Sequence, residues 1–97
     1  MAFHIEYAAE GRYRLRGQLL ASEVPGAASA LDGATGDVEL DLADLQYVSS
    51  AGLRLFIRTQ ARLLDGGHRL RLINPSDHVR DLLEVTGLDQ IFDLDGA

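Results

Sequence analysis

Two adjacent serines, Ser49 and Ser50, are the residues of this chain whose type and spacing point most directly to chemistry. They follow a run typical of a strand, Val38 to Leu42, and a short apolar connection, and they stand where a helical pattern begins. The first turn of a helix leaves backbone N–H groups without intrahelical partners, and a serine oxygen can accept a hydrogen bond from one of them. Either serine can therefore be a helix cap worth about 1 kcal/mol.

A helix start is also a favourable place for a phosphate. Its free N–H groups and the helix dipole stabilise negative charge, and a phosphoserine carries about −1.5 to −2 charges at neutral pH. A phosphate on Ser50 would leave the fold intact and repel a partner packed on this helix end, and Gly52 keeps the approach clear of side chains. The spacing therefore fits a charge switch at Ser50 that changes which protein binds.

Other candidate sites are weaker. Arginines recur at four-residue steps on the same helix, which fits either a solvated face or a docking strip for an acidic partner: Arg54, Arg58 and Arg62. Asp41 is expected on an open sheet face, and Asp44 is expected in a turn. The histidines are scattered, without the spacing of a helical metal site: His4, His68 and His78. A serine hydrolase would need a glycine two residues before Ser50, where Val48 stands.

The elements that position these residues alternate between strand and helix periodicity, which predicts a mixed α/β domain. The predicted strands are Phe3–Tyr7, Arg12–Leu19, Val38–Leu42, His68–Ile73 and Ile91–Leu94. Their charged positions all point to one side, which predicts a sheet with one face in water and the other under helices: Arg12, Arg14, Arg16, Glu39, Asp41, Arg69 and Arg71. An Arg-rich anion site is the functional alternative for the open face.

Three helices are predicted between these strands. The first has Ser22 as its cap and Pro25 in its first turn, where a missing N–H is tolerated. The second runs from about Ser50 to Leu64, and its buried stripe is predicted to consist of Leu53, Phe56, Ile57, Gln60 and Leu64. The third starts after the cap Ser76 and ends at Gly87 in a left-handed conformation.

Composition narrows the class of molecule. The chain has 97 residues, a formal net charge of −6 and no cysteine. One domain over residues 1–97 is expected at this length, and the acidic balance disfavours nucleic acid and anionic membranes as partners. The lack of cysteine excludes disulfides and thiolate catalysis. We see neither a signal peptide nor an apolar run near the roughly 20 residues of a membrane span, so we expect a cytoplasmic location without membrane insertion.

Two stretches of the chain resemble signatures of the STAS (sulfate transporter and anti-sigma factor antagonist) domain family. The run Tyr47-Val-Ser-Ser-Ala-Gly-Leu53 resembles the stretch around the phosphoacceptor serine of stand-alone bacterial members. The run Asn74-Pro-Ser-Asp-His-Val-Arg-Asp-Leu-Leu-Glu-Val-Thr-Gly-Leu88 is similar to the family's closing helix. Gly17 in the second predicted strand also fits. Together these matches extend over nearly the whole chain, in order.

The resemblance implies a STAS fold, a mixed four- to five-stranded sheet with helices packed mainly on one face. It also implies an anti-sigma factor antagonist that is not an enzyme and acts by partner switching. The unphosphorylated form binds an anti-sigma factor, a serine kinase with a histidine-kinase-like ATPase fold. Phosphorylation separates the two proteins, and a PP2C-type phosphatase resets the antagonist. The chain itself needs no cofactor or metal, because the kinase brings ATP and Mg²⁺.

The same resemblance assigns roles to individual residues. It makes Ser50 the phosphoacceptor, with Ser49, which stands where many phosphorylated members carry Asp, as second choice. The expected partner-binding residues surround it: Ser49, Ala51, Gly52, Leu53, Arg54 and Arg58. Two other roles stay open, a non-phosphorylated accessory subunit of an ABC-type lipid transporter and a scaffold subunit of a stress-sensing complex.

Overall fold

The structure, a computed structural model that describes residues 3–95, is a five-stranded sheet with three α-helices. The strands are β1 (His4–Ala9), β2 (Arg12–Leu19), β3 (Val38–Val48), β4 (Leu70–Ile73) and β5 (Asp93–Asp95). The helices are α1 (Val24–Asp32), α2 (Ser50–Asp65) and α3 (Asp77–Thr86), with short 3₁₀ helices at Ala21–Glu23 and Leu88–Gln90. The predicted mixed α/β fold is confirmed.

The strands lie in the sheet in the order in which they occur in the chain. β1 pairs antiparallel with β2 across the turn at Gly11, and β2 to β5 are parallel neighbours. Each parallel step needs a crossover, and α1, α2 and α3 supply the three crossovers. The carboxyl ends of β2 and β3 therefore lie at one edge of the sheet, and α2 begins at that edge.

The two faces of the sheet differ as the alternation of β2 predicts. One face joins the helices in the apolar core, whose fully buried side chains include Leu15, Leu40, Phe56, Leu72 and Leu83. The other face carries cross-strand ion pairs, with N–O distances of 2.7 Å for Arg12–Glu39, 3.8 Å for Arg14–Asp41, 3.1 Å for Arg16–Glu6 and 3.9 Å for Arg16–Asp44. Because the β2 arginines face carboxylates, the open face is a ladder of partly exposed pairs, each worth about 0–1 kcal/mol. The alternative of an anion site gains no support.

β3 is six residues longer than predicted and runs up to the serine pair. Its burial changes from every second residue to every third, with Leu42, Leu45 and Val48 inside. Two register shifts against β2 account for this change, because each leaves an extra β3 residue opposite the neighbouring strand. Asp44, expected in a turn, consequently lies within β3.

α1 begins in another way than predicted. Ser22 belongs to the 3₁₀ helix that runs directly into α1, and the residue at the N-cap is Glu23, which makes no side-chain cap bond in this structure. The Glu23 N–H donates instead to the Leu20 carbonyl at 2.9 Å. The preceding turn thus supplies a backbone partner, and a serine cap is not needed. Pro25 lies in the first turn, as predicted.

The buried face of α2 is rotated relative to the prediction. Phe56 and Gln60 are buried as predicted, but Leu53 is half-buried, and Ile57 and Leu64 are 36% and 57% exposed. The residues that face the core are Gly52, Leu55, Phe56, Thr59, Gln60 and Leu63. The large aliphatic residues of α2 therefore do not all mark its inner face.

The remaining boundaries differ in small ways. β4 starts at Leu70 and not at His68, because the His68 N–H donates to the Leu63 carbonyl at 2.8 Å and completes the end of α2. Ser76 caps α3 and Gly87 ends it in a left-handed conformation, both as predicted. The last strand is Asp93–Asp95; it begins two residues later and ends one residue later than predicted. Within residues 3–95, no helix has both the length and the apolar character needed to cross a membrane.

Candidate functional site

The geometry at the start of α2 shows which of the two serines is the helix cap. Ser49 has extended backbone angles, φ −77° and ψ 168°, and its Oγ accepts a hydrogen bond from the Gly52 N–H at 3.1 Å. Its carbonyl accepts from the Leu53 N–H at 2.9 Å, and its own N–H donates to the Leu19 carbonyl at 2.9 Å. Ser49 is therefore a structural residue that ties α2 to the end of β2.

Ser50 has the opposite character. It is the first residue of α2 and is exposed, and its hydroxyl has no hydrogen-bond partner in the described part of the chain. Because Ser49 already satisfies one N–H of the first turn, the fold does not require the Ser50 side chain. The hydroxyl is thus free for chemistry supplied from outside, beside a helix end that stabilises added negative charge.

Substitution of the two serines should separate their roles. We expect Ser49→Ala to lower the free energy of unfolding by about 1 kcal/mol because it removes the cap. Ser50→Ala should change that free energy by less than about 0.5 kcal/mol, as at most exposed positions. Denaturant unfolding of both variants measures this difference. Equal losses would contradict the assignment of Ser49 as the cap.

Gly52 was predicted to contact a partner, but the structure shows that this residue is buried. Gly52 faces inward, and a Cβ atom there would lie 2.6 Å from Val48 Cγ2 and 3.0 Å from Leu19 Cδ2. The glycine lets the first turn of α2 approach the ends of β2 and β3 closely. It is therefore a packing residue and does not belong to the accessible surface around Ser50.

The other predicted surface residues are accessible to different degrees. Ala51 and Leu53 are half-buried, whereas Arg54 and Arg58 are exposed. Arg62, the third arginine of the stripe, instead donates to the Leu31 and Ala34 carbonyls, both at 3.0 Å, and holds the end of α1. All three arginines are thus exposed, but Arg62 also has a structural role through its hydrogen bonds to the end of α1.

Two exposed apolar groups beside the serines were not among the predicted partner-binding residues. Leu20, which directly follows β2, is 42% exposed, and Tyr47, three residues before Ser50, is 38% exposed. The Tyr47 ring stacks on the His78 ring of α3, with centroids 6.0 Å apart and planes 28° apart. No local sequence pattern could predict the contact between Tyr47 and His78, because these residues are far apart in the chain and meet only through the packing of α3 against β3.

The remaining candidates do not form a second site. The structure describes no group of three or more His, Asp or Glu side chains in residues 3–95 that could hold a metal ion. Asp41 accepts from the Ala43 N–H at 3.0 Å and faces Arg14, so its carboxylate serves the sheet. No histidine among the described residues is hydrogen-bonded to Ser50, and the hydrolase alternative gains no support.

A comparison with protein families gives a match over nearly the whole chain. The family model described as "Mlab, STAS domain" matches residues 8–94. Among curated relatives, BtrV of Bordetella bronchiseptica, named as a candidate anti-sigma factor antagonist, is 37% identical over 65 residues, which are 67% of this chain and 56% of BtrV. The anti-sigma-B factor antagonist of Staphylococcus epidermidis is 33% identical over 57 residues, 59% of this chain and 53% of that protein. The chain thus spans about half the length of these relatives.

Solved structures show the same fold. The unphosphorylated anti-sigma factor antagonist SpoIIAA matches with a TM-score of 0.74 and 24% identity, covering 99% of this chain and 89% of its own. The phosphorylated form of this Bacillus protein matches with a TM-score of 0.71 and 22% identity, covering 99% and 92%.

Proposed function

Because this chain belongs to the STAS domain family, we propose that it is an anti-sigma factor antagonist switched by phosphorylation of Ser50. In the unphosphorylated state it binds an anti-sigma factor that is a serine kinase with a histidine-kinase-like ATPase fold. The kinase transfers the γ-phosphoryl group of ATP to Ser50 Oγ. The bond between Pγ and the β–γ bridging oxygen breaks, ADP leaves, and the serine proton passes to the kinase or to water. The complex then dissociates, and a PP2C-type phosphatase hydrolyses the phosphoserine.

The observation that carries this proposal is the division of labour between the two serines. Ser49 caps α2, and Ser50 stands beside it exposed and without a structural task. A kinase can reach such a hydroxyl without unfolding the helix. The second choice, Ser49, is a poorer acceptor because its Oγ is engaged with the Gly52 N–H and the residue is half-buried.

The surroundings of Ser50 suit a protein partner. Leu20 and Tyr47 offer exposed apolar area on the strand side, and Arg54 and Arg58 offer positive charge along α2. Apolar area flanked by arginine is typical of protein–protein contacts. A phosphate placed in the middle of such a surface would be desolvated by the partner, which is strongly unfavourable for an unpaired charge.

The proposal can be tested with two baits in a pull-down from a lysate of the source organism. Ser50→Ala should capture a protein that mass spectrometry identifies as a kinase of the stated fold, and Ser50→Asp should lose it. The Ser29→Asp variant, which adds the same charge at an exposed position of α1, should still capture the kinase.

Two results would overturn the proposal. One is capture of the same transporter ATPase by both Ser50 baits, which would make this chain an accessory subunit without a phosphoswitch. The other is equal capture of the kinase by Ser50→Asp and Ser50→Ala, which would place the contact elsewhere. The pull-down therefore distinguishes partner switching from the role of a transporter accessory subunit, which is the alternative within the same family.

A further inference from the structure

The outer face of α2 carries apolar residues that the fold leaves uncovered. Ile57 and Leu64 are 36% and 57% exposed, and Ala61 between them is exposed as well. Their spacing of four and three residues forms one seam on a helix, as in paired helices. Ile91, which is 51% exposed, lies next to this seam because its carbonyl accepts from Gln60 Nε2 at 2.8 Å.

Two charged residues on the same face form no ion pair within the described residues, although one of them, Arg58, also belongs to the surface proposed to bind the kinase. Arg58 and Asp65 are exposed and lie seven residues apart, on one side of a line along the helix through Ala61, whereas Ile57 and Leu64 lie on the other side of that line. In the described part of the chain neither Arg58 nor Asp65 has an ion-pair partner. One flank thus offers a cation and an anion, and the other offers two apolar side chains.

This arrangement is complementary to itself in one orientation. At a rise of 1.5 Å per residue, Ile57 lies about 6 Å before Ala61 and Leu64 about 4.5 Å after it. In an antiparallel pair of α2 helices centred on Ala61, Ile57 of each copy therefore lies level with Leu64 of the other. The same two-fold symmetry preserves the flanks, so Arg58 of each copy meets Asp65 of the other. The small Ala61 allows the helices to approach closely at the centre.

We propose that the chain self-associates into a symmetric dimer through the outer face of α2, with two Ile57–Leu64 contacts and two Arg58–Asp65 ion pairs between the copies. The inference rests on this face alone and is independent of whether Ser50 is phosphorylated. The apolar area is small, so the dimer is a weak one that forms and dissociates readily.

Sedimentation equilibrium over a range of protein concentrations tests the dimer. The wild-type chain should show a concentration-dependent monomer–dimer equilibrium below about 0.5 mM. Leu64→Glu should raise the dissociation constant at least about tenfold, because it places charge in the seam. Val85→Glu is the matched control, since Val85 is 85% exposed and belongs to α3, not to the seam on α2, and it should leave the constant unchanged.

A charge exchange tests the register. Arg58→Asp and Asp65→Arg should each weaken the dimer, because like charges then meet across the axis, and the double variant should restore the wild-type dissociation constant within about threefold. The proposal is overturned if the wild-type chain remains monomeric up to about 0.5 mM. It is also overturned if Val85→Glu weakens association as much as Leu64→Glu, or if the double variant restores nothing.

Discussion

A phosphate on Ser50 is expected to weaken binding of the captured kinase at least about 100-fold, which corresponds to about 2.7 kcal/mol. The phosphate would stand on an exposed position at the centre of the proposed contact, so binding would have to strip water from about two negative charges. Isothermal titration calorimetry with the unphosphorylated and the enzymatically phosphorylated chain measures the ratio. Ser50→Asp, with one charge, should show a smaller loss in the same direction.

The same modification should not weaken the fold, and this distinguishes a switch from simple damage. Ser50 is the first residue of α2, where a negative side chain gains about 0.3–1 kcal/mol from the helix dipole. We therefore expect the thermal midpoint of Ser50→Asp to equal or exceed that of the wild-type chain. A binding loss accompanied by a lower midpoint would contradict a direct electrostatic effect, and so would an equal binding loss in Ser29→Asp.

The sequence predicted the elements that carry their own local signals. β2 alternates strictly and its bounds agree with the prediction, and Ser76 and Gly87 mark the two ends of α3 as predicted. The strand–serine–helix order around Ser49 and Ser50 was also recognisable, since it depends on a short contiguous motif. These features depend on residues that are close together in the chain.

The features that could not be predicted depend on partners far away in the chain. The second half of β3 loses its alternation because of register shifts against β2, which only pairing reveals. Thr59 is buried, and its Oγ1 donates a hydrogen bond to the Leu55 carbonyl at 2.8 Å. The apolar pattern instead predicted that the larger Ile57 faces the core. Arg62 is exposed like the other two arginines of its stripe, but its hydrogen bonds to the end of α1 could not be predicted. Spacing along one helix does not show what lies beside it.

Gly52→Ala is expected to lower the free energy of unfolding by about 1–2 kcal/mol. The new Cβ would lie 2.6 Å from Val48 Cγ2, and Val48 is buried and branched at Cβ, so it has little freedom to move. Overpacking of this kind costs about 1–3 kcal/mol, and the better helix propensity of alanine offsets up to about 1 kcal/mol of it. For a domain of this size the thermal midpoint should fall by about 4–8 °C per kcal/mol.

Gly26→Ala is the matched control, because Gly26 lies within α1 and a Cβ there would have no neighbour within 4 Å. The same substitution should therefore raise stability at Gly26, by up to about 1 kcal/mol, and lower it at Gly52. Val48→Ala removes the methyl groups that a Cβ at Gly52 would strike, so the two substitutions together should destabilise less than the sum of the two alone. If Gly52→Ala stabilised the chain as Gly26→Ala does, close packing would not explain the glycine. If it destabilises as expected, the position of Ser50 depends on this contact, since α2 can begin beside the ends of β2 and β3 only where a residue without a side chain lies between them.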